Sequence, residues 1–524
     1  MSSPLRCALV GCVVMIGAMV AGSATSAQVP ATGPLTVHPQ NPRYFANGSG
    51  QAVYLTGSHT WTNLADEWTQ SFNVTFDYNQ YLNVMQQHRH NFIRLWRAEM
   101  PRYRYNAQGE FVFSAPHPWV LASAGGGGTG QPGGQGGGDG WGGFGSTKGS
   151  GGGSTSISPS PGTGGGGGGN SNAVVGVFNL QQFNSTYFDR LRARCIAARD
   201  RGIYVSIMLF EGHALQFTAE GWNSHPFNTA NNVNNINGDP NGDGRGLESH
   251  TLAIPAITAL QEAYVRRVID TVNDLDNIMY EISNEDHVGS IDWQNHFINY
   301  IQQYELTKPK RHPVLFSATF PYAGEAPWVS NAQAVSPLSY SAQGSYSDNP
   351  PAATGSKVVL CDSDHIFGCG SDAKWVWKCF ARGLNPIYMD SWYPNTPFCQ
   401  PPDLSMRTSM GYTRDYALRM NLALALPRNN LSSTGYCLAH VGTAYLVYLP
   451  DGGTVSVDLT GASGNFSVEW FNPHTGVASN AGTVAGGAVR TLSAPFTGHA
   501  AVFIHNGTTP PPPPPANWHK LPPN

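Results

Sequence analysis

The stretch 277–287, reading NIMYEISNEDH, constrains the fold of this chain more than any other. It begins as a short apolar run and ends in carboxylates. A parallel strand buried on both faces reads this way when its C-terminal end emerges at a rim. Alternation sets Ile278, Tyr280, Ile282 and Asn284 on one face and Met279, Glu281, Ser283 and Glu285 on the other. In an (α/β)8 barrel the outward face meets a ring of helices and the inward face fills the lumen. The apolar set suits the helices and the polar set suits the lumen. Glu285 then stands at the C-terminal mouth, where such barrels keep their chemistry.

Seven further segments are short and apolar: 52–56, 91–97, 203–210, 313–318, 332–335, 357–361 and 385–390. Helices are expected over 78–90, 187–201, 259–275, 292–304 and 374–382. This alternation predicts an α/β protein with a parallel sheet, a (β/α)8 TIM barrel spanning 28–428. Beyond it, short strands at 445–449, 454–459, 466–471 and 500–504 alternate with Gly and Asn turns. They predict a small all-β sandwich over 429–506, and 507–524 is a stiff proline-rich tail. Residues 123–170 are nearly all Gly, Ser, Pro and Thr. Such a segment cannot bury a core, and it is expected to be a disordered expansion of one strand-to-helix connection.

The chain opens with Arg6, an apolar run over 7–20 and small residues ending at Ala27. That pattern predicts a secretory signal peptide over 1–27, hence a secreted or periplasmic/extracellular protein. No later stretch is long and apolar enough to predict a membrane span. Without the signal, Lys and Arg number 28 against 33 acidic residues, a net charge of about −5 that gives no reason to expect nucleic acid. Charged residues make up 12% and aromatic residues 11%, a balance that suits handling of neutral polymers such as glycans. The six cysteines beyond the signal, Cys195, Cys361, Cys369, Cys379, Cys399 and Cys437, are expected to form disulfides in an exported chain. They lack CxxC pairing, and HExxH, GxSxG and P-loop motifs are missing, so no cofactor or structural zinc is expected. Asp239-Pro-Asn241-Gly-Asp243-Gly resembles the start of a calcium loop. Its twelfth position is His250 rather than Glu, so an ordinary Asn/Gly turn is the preferred reading.

Carboxylates gather at the expected strand ends: Glu211, Glu285, Asp362 and Asp364. His59, Trp61, Arg94, Trp96, Asn284, His365 and Trp392 fall near the same ends. Side chains of these types orient a sugar or stack on its apolar face. Glu281 lies one layer deeper and is expected to pair with Arg94, a cation able to hold a neighbouring carboxylate ionised.

YFANGSGQAVYLTGSHTW (44–61), NFIRLWR (91–97), IMLFEG (207–212), HPFNTANNVNNING (225–238), NIMYEISNE (277–285), KVVLCDSDHIFGCG (357–370) and WVWKCFARGLNPIYMD (375–390) together resemble the apiosidase-like (α/β)8 glycosidases. Those proteins belong with the large clan of retaining barrel glycosidases. VEWFNPHTG (468–476) resembles the β-sandwich usually attached to them, labelled "putative collagen-binding domain of a collagenase". The resemblance implies a glycoside hydrolase that cleaves a plant or extracellular polysaccharide with two carboxyl groups. In that clan the acid/base ends strand four and the nucleophile ends strand seven. The resemblance therefore implies Glu285 as acid/base. At strand seven this chain has Asp362 and Asp364 where the clan has Glu, with Asp362 preferred and Glu211 the rival. An Asp is one methylene shorter, which leaves retaining and inverting geometry both open. Two other readings compete: a non-catalytic glycan-binding or adhesion protein on a barrel scaffold, and a protein-binding or proteolytic role resting on the sandwich label alone.

Overall fold

The computed structural model describes residues 29–61, 63–69, 76–104, 108–122, 176–218, 220–321, 324–337, 340–341, 344–367, 372–390 and 404–507. Its largest element is a sheet of eight parallel strands: β1 (Gly57–His59), β2 (Phe92–Leu95), β3 (Tyr204–Glu211), β4 (Ile278–Asn284), β5 (Val314–Ser317), β6 (Ala334–Ser336), β7 (Val358–Asp362) and β8 (Asn385–Met389). They are hydrogen-bonded in the order β1-β8-β7-β6-β5-β4-β3-β2. The two ends of that order meet where Gly57 faces β2. A Cβ on Gly57 would lie 2.0 Å from the Phe92 carbonyl oxygen, so only glycine lets the strands approach and bring the barrel close to closure.

The helices start where capping chemistry dictates. Asp77 accepts from Gln80 N ahead of α1 (Tyr78–Gln87), and Asn184 accepts from Thr186 N ahead of α2 (Ser185–Arg199). Pro255 opens α3 (Pro255–Val272), where its missing N–H costs nothing. Then follow α4 (Ile291–Glu305), α5 (Ala373–Ala381), which Asp372 caps, and α6 (Leu404–Arg419). Ile278, Tyr280 and Ile282 pack outward into the core shared with these helices, while Met279 joins Leu55, Phe92, Leu315, Leu360 and Ile387 inside the barrel. The expected inside-outside alternation of β4 holds that far.

Two expectations need correction, and one helix goes unpredicted. The first barrel strand is 57–59, not 52–56; Ala52–Val53 pairs instead with Phe45–Ala46 in a small antiparallel sheet. Helix α6 carries no clear apolar stripe in the sequence, and its buried positions are filled by Arg407, Ser409, Thr413 and Asp415 as well as Met and Tyr. Finally, no disulfide forms among the described residues. Cys195, Cys361, Cys379 and Cys437 are free, and each lies in apolar packing where a thiol serves as a small hydrophobe. Cys369 and Cys399 lie outside the described residues, as do the signal segment, the Gly-rich stretch and the proline-rich tail.

The chain on either side of that Gly-rich stretch is paired. Trp119–Ala122 runs antiparallel to Val177–Phe183, with Ala122 opposite Val177.

The C-terminal unit is antiparallel. Its main sheet runs Leu426–Pro427, Cys437–His440, Ala444–Leu449, Ala500–His505, Asn465–Asn472, Val477–Ala485, with Thr454–Asp458 and Val489–Ser493 forming a second pair. It docks on α5 and α6. Trp377 stacks on Tyr448 with centroids 5.8 Å apart, Tyr416 meets Phe503 edge-on, and Arg419 pairs with Glu469 at 2.7 Å.

Candidate active site

The C-terminal ends of the barrel strands converge on a pocket lined by Arg94, Asn284, Glu285, Asp362 and Asp364. Arg94, on β2, organises it. Its Nε donates to Glu281 Oε2 at 2.9 Å and its Nη1 to Asp362 Oδ2 at 2.7 Å. Its Nη2 reaches Glu281 Oε1 and, at 3.2 Å, Asn284 Oδ1. The expected Arg94–Glu281 pair is therefore present, and Ser206 and Ser317 donate to the same Glu281 carboxylate.

Asp362 is the last residue of β7 and is 8% exposed. Burial works against its charge, but His59 and Arg94 outweigh burial and hold the carboxyl down at about 2. His59 Nε2 lies 3.0 Å from Oδ1, and Asp364 N donates to the same oxygen at 3.1 Å. An ionised carboxylate only accepts, so His59 Nε2 carries the proton in that bond.

Glu285 follows β4 with φ 46°, in the left-handed region that a side chain adopts only when its surroundings impose it. Those surroundings are specific. Gln216 Nε2 donates to the Glu285 carbonyl at 2.5 Å, Gly212 N to the Asn284 carbonyl at 2.8 Å, and Phe320 N to the Asp286 carbonyl at 2.9 Å. Asp286 is fixed by Ser283 Oγ at 2.8 Å and by His250 Nδ1 at 2.7 Å. Gly212 lies flat against it, since a Cβ there would stand 2.6 Å from the Asp286 Cα.

This anchoring also changes the strand parity. Ser283 bonds Asp286 and Phe210 joins Leu209 in the outer core, so Asn284 turns inward to Arg94 although simple alternation assigns it to the outer face. Asn284 Nδ2 lies 3.3 Å from Glu285 Oε1.

Glu211 stands apart from the Arg94 pocket. Its two oxygens accept His213 N at 2.8 Å and Ala214 N at 3.0 Å, capping the short helix His213–Phe217. Burial, reinforced by Glu285 and Glu99, pushes its carboxyl up to about 8. Glu211 lines a second pocket with Trp61, Glu67, Trp96, Glu99 and Tyr103. Trp96 ties the two pockets together: His59 stacks on it at 5.9 Å, Trp61 meets it edge-on at 6.3 Å, and the Arg94 guanidinium lies 5.3 Å from its ring. His365 falls in a short helical turn, Asp364–Phe367, and Trp392 lies outside the described residues.

Glu67 and the pair His250–Asp286 escaped the sequence reading. The calcium-like loop does gather Asp239, Asp243 and Glu248, whose oxygens lie within 4.8 Å of one another. His250, the residue at its twelfth position, turns instead into the barrel wall toward Asp286 and Glu99.

The family model described as "Domain of unknown function (DUF6298)" matches residues 165–321. The model described as "Putative collagen-binding domain of a collagenase" matches 426–504, in agreement with the resemblance of the C-terminal unit. No curated protein matches the chain. Among solved structures, one described as "Glycoside hydrolase" superposes with a TM-score of 0.53 at 13% identity, covering 91% of this chain and 98% of its own. A glycoside hydrolase family 5 protein from Bacteroides vulgatus superposes with a TM-score of 0.54 at 13% identity, covering 90% and 94%. At such identity the likeness carries the fold: a TIM barrel followed by an antiparallel C-terminal domain.

Proposed function

We propose that this protein is an exported glycoside hydrolase in which Glu285 is the general acid/base and Asp362 the nucleophile. The observation that carries the reading is the shared pocket of Glu285 and Asp362 at the ends of β4 and β7, with Asp362 held ionised by Arg94 and His59. Glycosidic cleavage requires two such carboxyl groups, one to protonate the leaving oxygen and one to meet the developing positive charge at the sugar. A carboxyl held at about 2 is a poor base for water but remains charged at every working pH, which favours direct attack and retention of configuration. Solved structures sharing the barrel are described as glycoside hydrolases, which supports the same reading. Apiosidase-like membership, a plant or extracellular polysaccharide as substrate, and export directed by residues 1–27 belong to this proposal. So do sugar-contacting roles for Trp61, Trp96, Asn284, His365 and Trp392.

The test is covalent capture. A set of cyclophellitol-type probes in different sugar configurations is incubated with the protein, and the adduct is mapped by peptide mass spectrometry. Attachment to Asp362 supports the proposal. Attachment to Asp364 or Glu211 reassigns the nucleophile. An inverted anomeric product, read by NMR, makes Asp362 a base rather than a nucleophile.

A further inference from the structure

The cations available to the two pockets are few, and all are engaged. Arg94 is the single Lys or Arg lining either of them among the described residues, and each of its three guanidinium nitrogens already donates to Glu281, Asp362 or Asn284. Arg97, just behind the second pocket, donates to the Leu209 carbonyl, pairs with Glu99 at 3.4 Å and lies under the rings of Tyr264 and Phe210. The stretches outside the described residues between Val29 and Gly507 hold one cation in their sequence, Lys148, within the Gly-rich stretch.

Against this stand six carboxyl groups. Glu285, Asp362 and Asp364 line the first pocket, and Glu67, Glu99 and Glu211 the second. Trp61 and Trp96 supply the apolar walls between them. A sugar ring meets such walls through its C–H face and such carboxyls through its hydroxyls. A carboxylate or sulfate on that ring meets the ionised Asp362 and Glu99, with no free guanidinium or ammonium to pair with, and desolvating an unpaired anion is costly.

We infer that the sugar unit occupying these two pockets bears no acid group: the site takes neutral or amine-bearing sugars and rejects uronate and sulfated units. The inference deepens the glycosidase reading and rests on it for the identity of the ligand as a sugar. It concerns the unit within the two pockets, not the rest of a polymer.

The experiment uses pairs of aryl glycosides that differ only at C6, hydroxymethyl against carboxylate, in the gluco, galacto and manno series. Hydrolysis by the full chain, and binding to its Glu285→Gln variant by ligand-observed NMR, are measured for each pair. The neutral member is expected to be favoured by about thirtyfold or more in one series at least. In the binding measurement at pH 9, above the values to which burial raises Glu67 (about 7) and Glu211 (about 8), Glu67→Gln combined with Glu211→Gln should shrink that preference by about tenfold, because there it removes two like charges. Equal treatment of the pair, or preference for the uronide, overturns the inference while leaving hydrolysis standing. Neutral-selective binding without hydrolysis removes the enzyme reading and leaves the inference intact. Binding of neither member in any series overturns the sugar-site assignment itself.

Discussion

His250 Nδ1 lies 2.7 Å from Asp286 Oδ2, and both side chains are almost wholly buried. The contact ties the long Asn- and Gly-rich loop to the residue that follows Glu285. On its other side His250 Nε2 faces Glu99 at 3.4 Å. Burial alone would discharge the imidazole, but Asp286 and Glu99 outweigh it and raise its value to about 10. A raised folded value contributes stability that is complete below the unfolded value of about 6.5 and is lost as pH climbs through about 10. Urea unfolding between pH 6 and pH 10 should therefore show stability declining with pH, and His250→Gln should flatten that decline. The variant should also lose about 3–5 kcal/mol at neutral pH, because it leaves Asp286 buried without its partner. An unchanged slope would contradict the pairing.

The backbone at Glu285 gives a second expectation. Its φ of 46° is natural for glycine and strained for other residues. Glu285→Gly should be more stable than Glu285→Ala by about 1 kcal/mol, since both remove the side chain and only glycine relieves the backbone. Calorimetry on the two variants checks it, and equal melting temperatures would count against strain at this position.

Asp362 depends on two neighbours for its ionisation, which makes them separately testable. His59→Gln keeps a hydrogen-bond donor but removes the electrostatic support, so the folded pKa of Asp362 should rise from about 2 toward the unperturbed 3.8. The acid limb of kcat/KM should move up with it. Arg94→Lys cannot span Glu281 and Asp362 at once and should lower kcat/KM by at least about a hundredfold. A pH profile identical to the wild type in both variants would remove Arg94 and His59 from this role.

How much of this was legible in the sequence follows from where the signals are local. β4 announces itself because an apolar run ends in Asn284-Glu285, and β7 because Val358 to Cys361 ends in Asp362. β1 does not: Gly57-Ser58-His59 has no apolar pattern, and it is a strand only because Gly57 admits Phe92 of β2 and because β8 pairs with it. Simple alternation puts Asn284 on the outer face because the parity slip depends on Ser283 finding Asp286. The Glu99–His250–Asp286 contact joins three distant segments, and no spacing rule encodes it. The cysteines misled for a related reason: their number fits an exported chain, but their fate depends on which core each one enters.

Those cysteines yield a direct check. Cys195, Cys361, Cys379 and Cys437 are buried and reduced, and burial pushes the Cys195 and Cys379 thiols upward, away from the reactive thiolate. Peptides carrying these four should resist iodoacetamide in the native protein and be alkylated fully after denaturation without reductant. A disulfide-linked peptide containing any of the four would contradict the assignment.

Glu285 and Asp362 act together in the proposed reaction, and the most direct measurement is sugar release from a panel of glycans and aryl glycosides by the wild type, Glu285→Gln and Asp362→Asn. Circular dichroism confirms that each variant is folded. The expected result is release by the wild type and a loss of at least about a thousandfold in kcat for both variants. Release that survives Asp362→Asn unchanged, in a folded protein, would contradict the two-carboxylate assignment.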